Sequence, residues 1–173
     1  MLFLGEQHAE FFLYSRLFLF TYAFLLRMPS EAVGASVGAG DQRLELVGET
    51  LVLKLRRRKN KPAGSTLIRG CWCRECKASC PVHVLGPLVA SCGIGERGFP
   101  GLYCGASHHL CICFLGAGIN AAEALRTLRR MLELLGVEDH KNYRSHDLRR
   151  GHAKDLQLSG ELDMRMQSWH CLL

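Results

Sequence analysis

A histidine and an arginine three residues apart, His146 and Arg149, form the pair in this sequence best suited to hold a phosphate. A helix is predicted to begin here, because the Ser145 hydroxyl can cap free backbone N–H groups and Asp147 suits the positive end of the helix dipole. Residues three apart share one helical face. An imidazole beside a guanidinium fork is typical of phosphate recognition, although such pairs also occur on ordinary exposed helices.

Further cations lie in two other parts of the chain. Arg27 follows a long apolar segment, and Pro29 and Glu31 behind it favour the start of a new helical turn, so Arg27 lies at a helix-to-helix junction. The basic run 56–61 contains Lys59 and Lys61 and separates two predicted strands. Such a run at a hairpin tip is typical either of a solvated surface or of contact with a nucleic-acid backbone.

Residues 71–83 concentrate soft metal ligands. Cys71, Cys73, Cys80 and His83 supply the residue types of a structural zinc site with three cysteines and one histidine. The alternative is a loop with free thiols, because Cys-x-Cys is shorter than the common two-residue gap and no second knuckle follows. Nine cysteines without a recognisable signal peptide argue against a disulfide framework and predict a nuclear or cytoplasmic protein.

The periodicity of the remaining residues predicts an α+β fold. Helices are expected over residues 6–28 and 121–135, and another from the His146 region onwards. The second of these has Asn120 as its cap, Gly136 as its stop and one leucine stripe, formed by Leu125, Leu128, Leu132 and Leu135. Strands over 44–47, 50–55 and 65–68 predict a small three-stranded antiparallel sheet, with a tight turn at residues 48–49.

Composition limits the class of protein. A chain of 173 residues accommodates one domain, or one domain and a fragment, and 48% hydrophobic residues exclude wholesale disorder. The formal charge of +6 indicates either simple solubility or a polyanionic partner. The apolar run 11–26 favours a buried helix, because it contains Arg16 and is shorter than the roughly 20 residues of a membrane span; a membrane-associated fragment is the alternative.

Three blocks of this sequence resemble the catalytic domain of the tyrosine recombinase (phage integrase) family. They are Leu-Arg-Met-Pro-Ser-Glu at 26–31, the basic hairpin with Lys59, and His-Asp-Leu-Arg-Arg-Gly-His at 146–152, in the order of the family. The resemblance covers about residues 11–160. It implies a mainly helical recombinase-like catalytic domain over 6–160, with 71–83 as a Cys/His insert and 161–173 as a divergent tail.

The resemblance also implies roles for individual residues. Members of the family join a tyrosine to the scissile phosphate of DNA without a metal cofactor. Arg27 and Arg149 would stabilise the charge on the phosphate, and His146 would orient it or handle a proton. Lys59, with Lys61 as the alternative, would protonate the leaving oxygen. His152 would be a supporting residue or an ordinary helix residue, and the latter is favoured.

The nucleophile of the family has no counterpart in this chain. The tyrosine should follow the His-x-x-Arg helix, whereas the four tyrosines, Tyr14, Tyr22, Tyr103 and Tyr143, all precede it. We therefore expect a truncated recombinase that binds DNA, with a second copy as a further partner, and does not cleave it. No small-molecule substrate and no membrane are expected. The rival hypothesis is a zinc-dependent module for binding nucleic acid or protein, centred on residues 71–83.

Overall fold

The computed structural model describes residues 1–33, 35–37, 42–56, 58, 63–74, 77–93 and 119–158. Its elements in chain order are α1 (Leu2–Gln7), α2 (Ala9–Ala23), a π-helical turn (Met28–Ala32), β1 (Ser36–Val37), β2 (Arg43–Val47), β3 (Thr50–Leu55), β4 (Ser65–Arg69), α3 (Pro81–Gly93), α4 (Ala121–Leu134), a 3₁₀ turn (His140–Asn142) and α5 (Asp147–Leu158). The structure combines helices with a small, mainly antiparallel sheet, and the α+β prediction is confirmed.

Helix α2 forms the centre of the molecule. Its side chains are apolar around most of the helix, and two of its phenylalanines, Phe18 and Phe20, are almost completely buried. A helix that is apolar on all sides is expected to be enclosed by other elements, and α2 contacts α1, α3, α4 and α5. The prediction of a buried helix in this segment is therefore confirmed for Ala9–Ala23.

The predicted boundaries of this helix, residues 6–28, are wrong at both ends. At the start, His8 is extended (φ −126°, ψ 111°) and separates α1 from α2. At the end, Leu25 adopts the left-handed conformation (φ 53°), and the backbone N–H groups of Leu25 and Leu26 donate to the carbonyls of Tyr22 and Thr21. This Schellman motif usually uses glycine, so the sequence carried no local signal for it. It places Arg27 immediately outside the helix.

The sheet follows the predicted strands closely. Strands β2, β3 and β4 pair antiparallel, with Val47 opposite Thr50 across the turn and Leu53 opposite Leu67. Gly48 supplies the left-handed conformation of that turn (φ 59°). In β3 every second side chain is buried, as expected for a strand with one face on a core. The two-residue strand β1, which was not among the predicted strands, adds a parallel edge to β2.

The later helices complete the core. Helix α3 packs on β1, β2 and β3, and its Leu85 is fully buried. Helix α4 is capped as predicted, because the Asn120 side chain accepts from the Glu123 backbone N–H at 2.7 Å. Its buried stripe is Ala124, Leu128, Met131 and Leu132. Leu135 was predicted to join this stripe but lies beyond the helix and is 45% exposed.

Two observations concern the limits of the domain and the membrane alternative. Leu4 of α1 is buried in the core, so packed structure extends upstream of residue 6. The tail 161–173 lies outside the described residues. Among the helices of the described ranges, none combines the length and apolar character needed to cross a bilayer.

Candidate functional site

Three of the side chains predicted to hold a phosphate line one concavity. Its volume is about 470 Å³, and its lining residues are Arg27, His146, Arg149, Arg150 and Ala153. Arg27 comes from the end of the Schellman motif after α2, and the others come from α5 and the residue before it. Residues from distant parts of the sequence therefore meet at one positively charged surface, which we call the arginine concavity.

One face of helix α5 lines the arginine concavity. Residues 146, 149, 150 and 153 follow the i, i+3, i+4, i+7 spacing of a single helical face and line the arginine concavity. The helix begins at Asp147, whose carboxylate accepts from the Arg144 backbone N–H at 2.7 Å. The predicted cap, Ser145, lies two residues before that start. Through the same carboxylate Asp147 also forms a 3.7 Å ion pair with Arg150.

A buried carboxylate, that of Glu31, contacts Arg27 and Arg58 next to the arginine concavity. Glu31 is only 3% exposed, and its two oxygens take different partners: one accepts from the Arg27 backbone N–H at 2.9 Å, and the other pairs with Arg58 Nε at 3.3 Å. The sequence alone predicted no role for Arg58. Its position within the basic run 56–61 was the available signal, but only the fold brings it to Glu31.

The cations of this surface influence one another. Burial lowers the pKa of the Arg149 guanidinium, and the nearby charges of Arg58 and Arg27 lower it further, whereas Glu31 opposes the shift. Arginine nevertheless stays protonated in proteins. Like charges held together in partial burial repel one another, so a bound anion would relieve the repulsion. The arrangement suits a ligand with several negatively charged oxygens, which guanidinium groups can bind in pairs.

The predicted general acid cannot be placed. Lys59 and its alternative Lys61 both lie outside the described residues, so the role given to them stays a prediction. Arg56 and Arg58 are described on one side of this segment and Gly64 on the other.

Two of the tyrosines are engaged by carboxylates. Tyr14 OH donates to Glu123 Oε1 at 2.8 Å, and Tyr22 OH donates to Asp155 Oδ2 at 2.5 Å. Burial, followed by these carboxylates, raises the pKa of Tyr14 to about 12 and raises the pKa of Tyr22 as well. A hydroxyl that is bound in this way and is reluctant to ionise is a poor nucleophile.

His152 is the buried residue of α5, with 3% exposure. Its ring lies against Tyr22 of α2, with centroids 4.5 Å apart, and against Trp72, with centroids 5.6 Å apart. Tilted arrangements at such distances are favourable for aromatic rings. His152 therefore packs against α2 and the Trp72 ring, and it is not among the residues that line the arginine concavity.

A second group of functional side chains lies between β4 and α3. The ligand atoms of Cys71, Cys73, Cys80 and His83 are all within 4.8 Å of one another, so this group could hold a metal ion. The Sγ atoms of Cys71 and Cys80 are 3.7 Å apart, and His83 Nδ1 lies 3.7, 3.2 and 3.3 Å from the sulfurs of Cys71, Cys73 and Cys80. Tetrahedral ligands at about 2.3 Å from a zinc ion are separated by about 3.7 Å.

The local fold explains how this metal-ligand group forms. Cys80 is buried, and Pro81 after it starts α3, which places His83 in the first helical turn. Two backbone N–H groups point at sulfur, from Trp72 to Cys80 at 3.2 Å and from Cys73 to Cys71 at 3.4 Å. Such bonds orient thiolate ligands around a metal. The irregular spacing in the sequence is thus accommodated by a loop that folds back on a helix start.

The thiols of the group differ in acidity. Hydrogen bonding to Cys71, with burial and Cys80 adding to it, raises the pKa of Cys73 to about 12. For Cys80, burial favours the neutral thiol, but hydrogen bonds from His83, the Trp72 N–H and Cys71 outweigh it and lower the pKa to about 6. Cys80 is therefore the ligand most ready to bind a cation as thiolate, and a bound metal would deprotonate the others.

Comparisons with protein-family models, with curated proteins and with solved structures find no match.

Proposed function

We propose that this protein binds DNA through the arginine concavity, as a recombinase-type domain that holds a backbone phosphate without cutting the strand. The observation that carries the proposal is the meeting of Arg27, His146 and Arg149 in one concavity. These are the three described residues to which the tyrosine recombinase resemblance gives a phosphate-binding role, and they come from separate elements. Arg150 adds a further cation to the lining, and Arg58 lies close enough to lower the pKa of the Arg149 guanidinium.

The chemistry of the site is compatible with a phosphodiester. Arginine forks bind two phosphate oxygens at once, and exposed His146 can add a donor at one edge. The concavity is open to solvent, which suits a polymer backbone rather than an enclosed metabolite. A partner with repeated phosphates would also engage the basic run 56–61, of which Arg56 is exposed.

The proposal predicts weak, salt-sensitive binding of duplex DNA with little sequence preference. Each neutralised phosphate should contribute a slope of about −0.9 to log affinity against log salt, so three contacts would reduce affinity roughly 40-fold between about 50 and 200 mM salt. Arg27→Ala and Arg149→Ala should each weaken binding by about two- to fivefold and reduce the slope by about 0.9, because contacts are spread over several phosphates. Fluorescence anisotropy with a labelled duplex measures both quantities.

Arg130→Ala is the matched control for charge. Arg130 is exposed on α4 and is not among the residues that line the concavity, so its loss removes the same charge elsewhere. Affinity that does not change with salt, or an equal effect of Arg130→Ala and Arg149→Ala, would contradict the proposal.

The proposal also predicts that the 173-residue chain forms no covalent bond to DNA. Tyr14 and Tyr22 donate to carboxylates and resist ionisation, and all four tyrosines precede Arg149 in the sequence. A suicide duplex incubated with the protein and separated by denaturing electrophoresis should show no adduct. Covalent adducts that disappear on replacing one of the four tyrosines with phenylalanine would show that the protein does cleave.

A second candidate function is carried by the metal-ligand group. We propose that Cys71, Cys73, Cys80 and His83 bind one structural zinc ion, supported by the tetrahedral spacing of their ligand atoms. If the protein were chiefly a zinc-dependent binding module, removal of zinc would abolish DNA binding while Arg149→Ala would leave it unchanged. Under the recombinase-type proposal, by contrast, Arg149→Ala should weaken DNA binding.

A further inference from the structure

The ring cluster of Tyr22, Trp72 and His152 connects the two candidate sites. Tyr22 belongs to α2, Trp72 to the loop that carries the metal ligands, and His152 to α5. Ring centroids are 4.5 Å apart for Tyr22 and His152, 5.6 Å for Trp72 and His152, and 6.4 Å for Tyr22 and Trp72. All three pairs thus lie within the usual contact range of aromatic rings.

The cluster holds a side of α5 that is distinct from the one lining the arginine concavity. Leu148 packs on the core, His152 lies in the ring cluster, and Asp155 accepts from Tyr22 OH. These three follow the i, i+4, i+7 spacing of one face. His146, Arg149 and Arg150 project from the other face. Any rotation or shift of α5 against α2 would therefore displace the phosphate-binding side chains together.

Trp72 is tied to the metal-ligand group by the covalent chain and by a hydrogen bond. It lies between two ligands, Cys71 and Cys73, and its backbone N–H donates to the sulfur of a third, Cys80, at 3.2 Å. A metal that fixes these three sulfurs leaves the Trp72 backbone little freedom. Without the metal, the contacts that the structure shows among these sulfurs are weak, because thiols are poor hydrogen-bonding partners.

We propose that Trp72 and His152 are positioning residues through which a metal bound at Cys71, Cys73, Cys80 and His83 fixes α5 and thereby the phosphate-binding geometry of Arg149. This inference rests on the proposed function of the arginine concavity and adds its dependence on the metal. Trp72 and His152 belong neither to the metal-ligand group nor to the lining of the arginine concavity, and they transmit the position of one site to the other. The coupling runs through packed side chains with named contacts rather than through distance alone.

The test measures how much Arg149 contributes to DNA affinity in each state of the metal site. We define the Arg149 ratio as the dissociation constant of Arg149→Ala divided by that of the same protein with Arg149, both for a short duplex. This ratio should be about five with one equivalent of zinc and close to one after chelation. In Trp72→Ala, which keeps all four ligands, zinc should still bind, but the Arg149 ratio should be close to one. Trp72→Phe should restore most of the ratio, because a ring remains against His152.

A spectroscopic signature reports the cluster directly. Ring protons of His152 should be shifted by the Trp72 ring in the zinc-bound protein, and the shift should be lost in zinc-bound Trp72→Ala with unchanged far-ultraviolet circular dichroism. An Arg149 ratio of fivefold in both zinc-bound and zinc-free protein would overturn the coupling and leave the proposed function standing. An Arg149 ratio of one in the presence of zinc, with no other substitution, would overturn both the coupling and the proposed function, because DNA affinity would then not depend on Arg149.

Discussion

Zinc is expected to raise the thermal stability of this protein by a large amount, and chelation is expected to remove it. An ion that binds only the folded chain stabilises it by about 4 kcal/mol when its free concentration is about a thousand times its dissociation constant. For a chain of this length, that corresponds to a rise in Tm of roughly 8–16 °C. Differential scanning calorimetry with and without a chelator, together with metal analysis of the purified protein, measures the effect.

The variants for this experiment separate ligation from general effects of the loop. Cys73→Ser removes one ligand from a half-buried position and should abolish both the bound equivalent and the shift in Tm. Lys77→Ala is the matched control, since Lys77 is exposed in the same loop and is not among the ligands. Metal-free protein whose Tm does not respond to zinc would refute the metal site and, with it, the coupling through Trp72.

Glu31→Ala is expected to destabilise the fold by about 3 kcal/mol, the usual cost of removing one partner from a buried ion pair. The Glu31 side chain is 4% exposed and that of Arg58 is 13% exposed, so the change would leave a guanidinium in partial burial beside Arg27 and Arg149. The Arg27 backbone N–H would also lose its acceptor. Denaturant titration should show the loss as a lower midpoint with an unchanged slope.

Two comparison variants sharpen this result. Glu31→Gln keeps an oxygen for the Arg27 backbone N–H but not the charge, so its cost should be smaller than that of Glu31→Ala. Glu45→Ala removes a carboxylate that pairs with Arg43 at 2.6 Å and Lys54 at 3.0 Å on the surface of the sheet, where ion pairs contribute under about 1 kcal/mol. Equal costs for Glu31→Ala and Glu45→Ala would show that Glu31 does not hold the cations of the concavity.

The sequence by itself determined those elements whose signals are local. The strands β2 and β3 were predictable because alternating leucines and Gly48 specify a hairpin within a dozen residues, and α4 because Asn120, a leucine stripe and Gly136 mark its cap, face and stop. The shared face of His146 and Arg149 followed from helical periodicity alone. In each case the residues that decide the structure are neighbours in the chain.

Tertiary structure decided how these elements meet, and with it both candidate sites. Leu25 takes the left-handed conformation although leucine does not favour it, with Phe24 and Leu26 on either side fully buried, and this turn sets the direction of Arg27. The pairing of Glu31 with Arg58 and the burial of His152 join segments that share no local pattern. The metal ligands meet because a loop returns to the start of α3. Contacts between distant segments depend on the packing of the whole core, which no short stretch of sequence encodes.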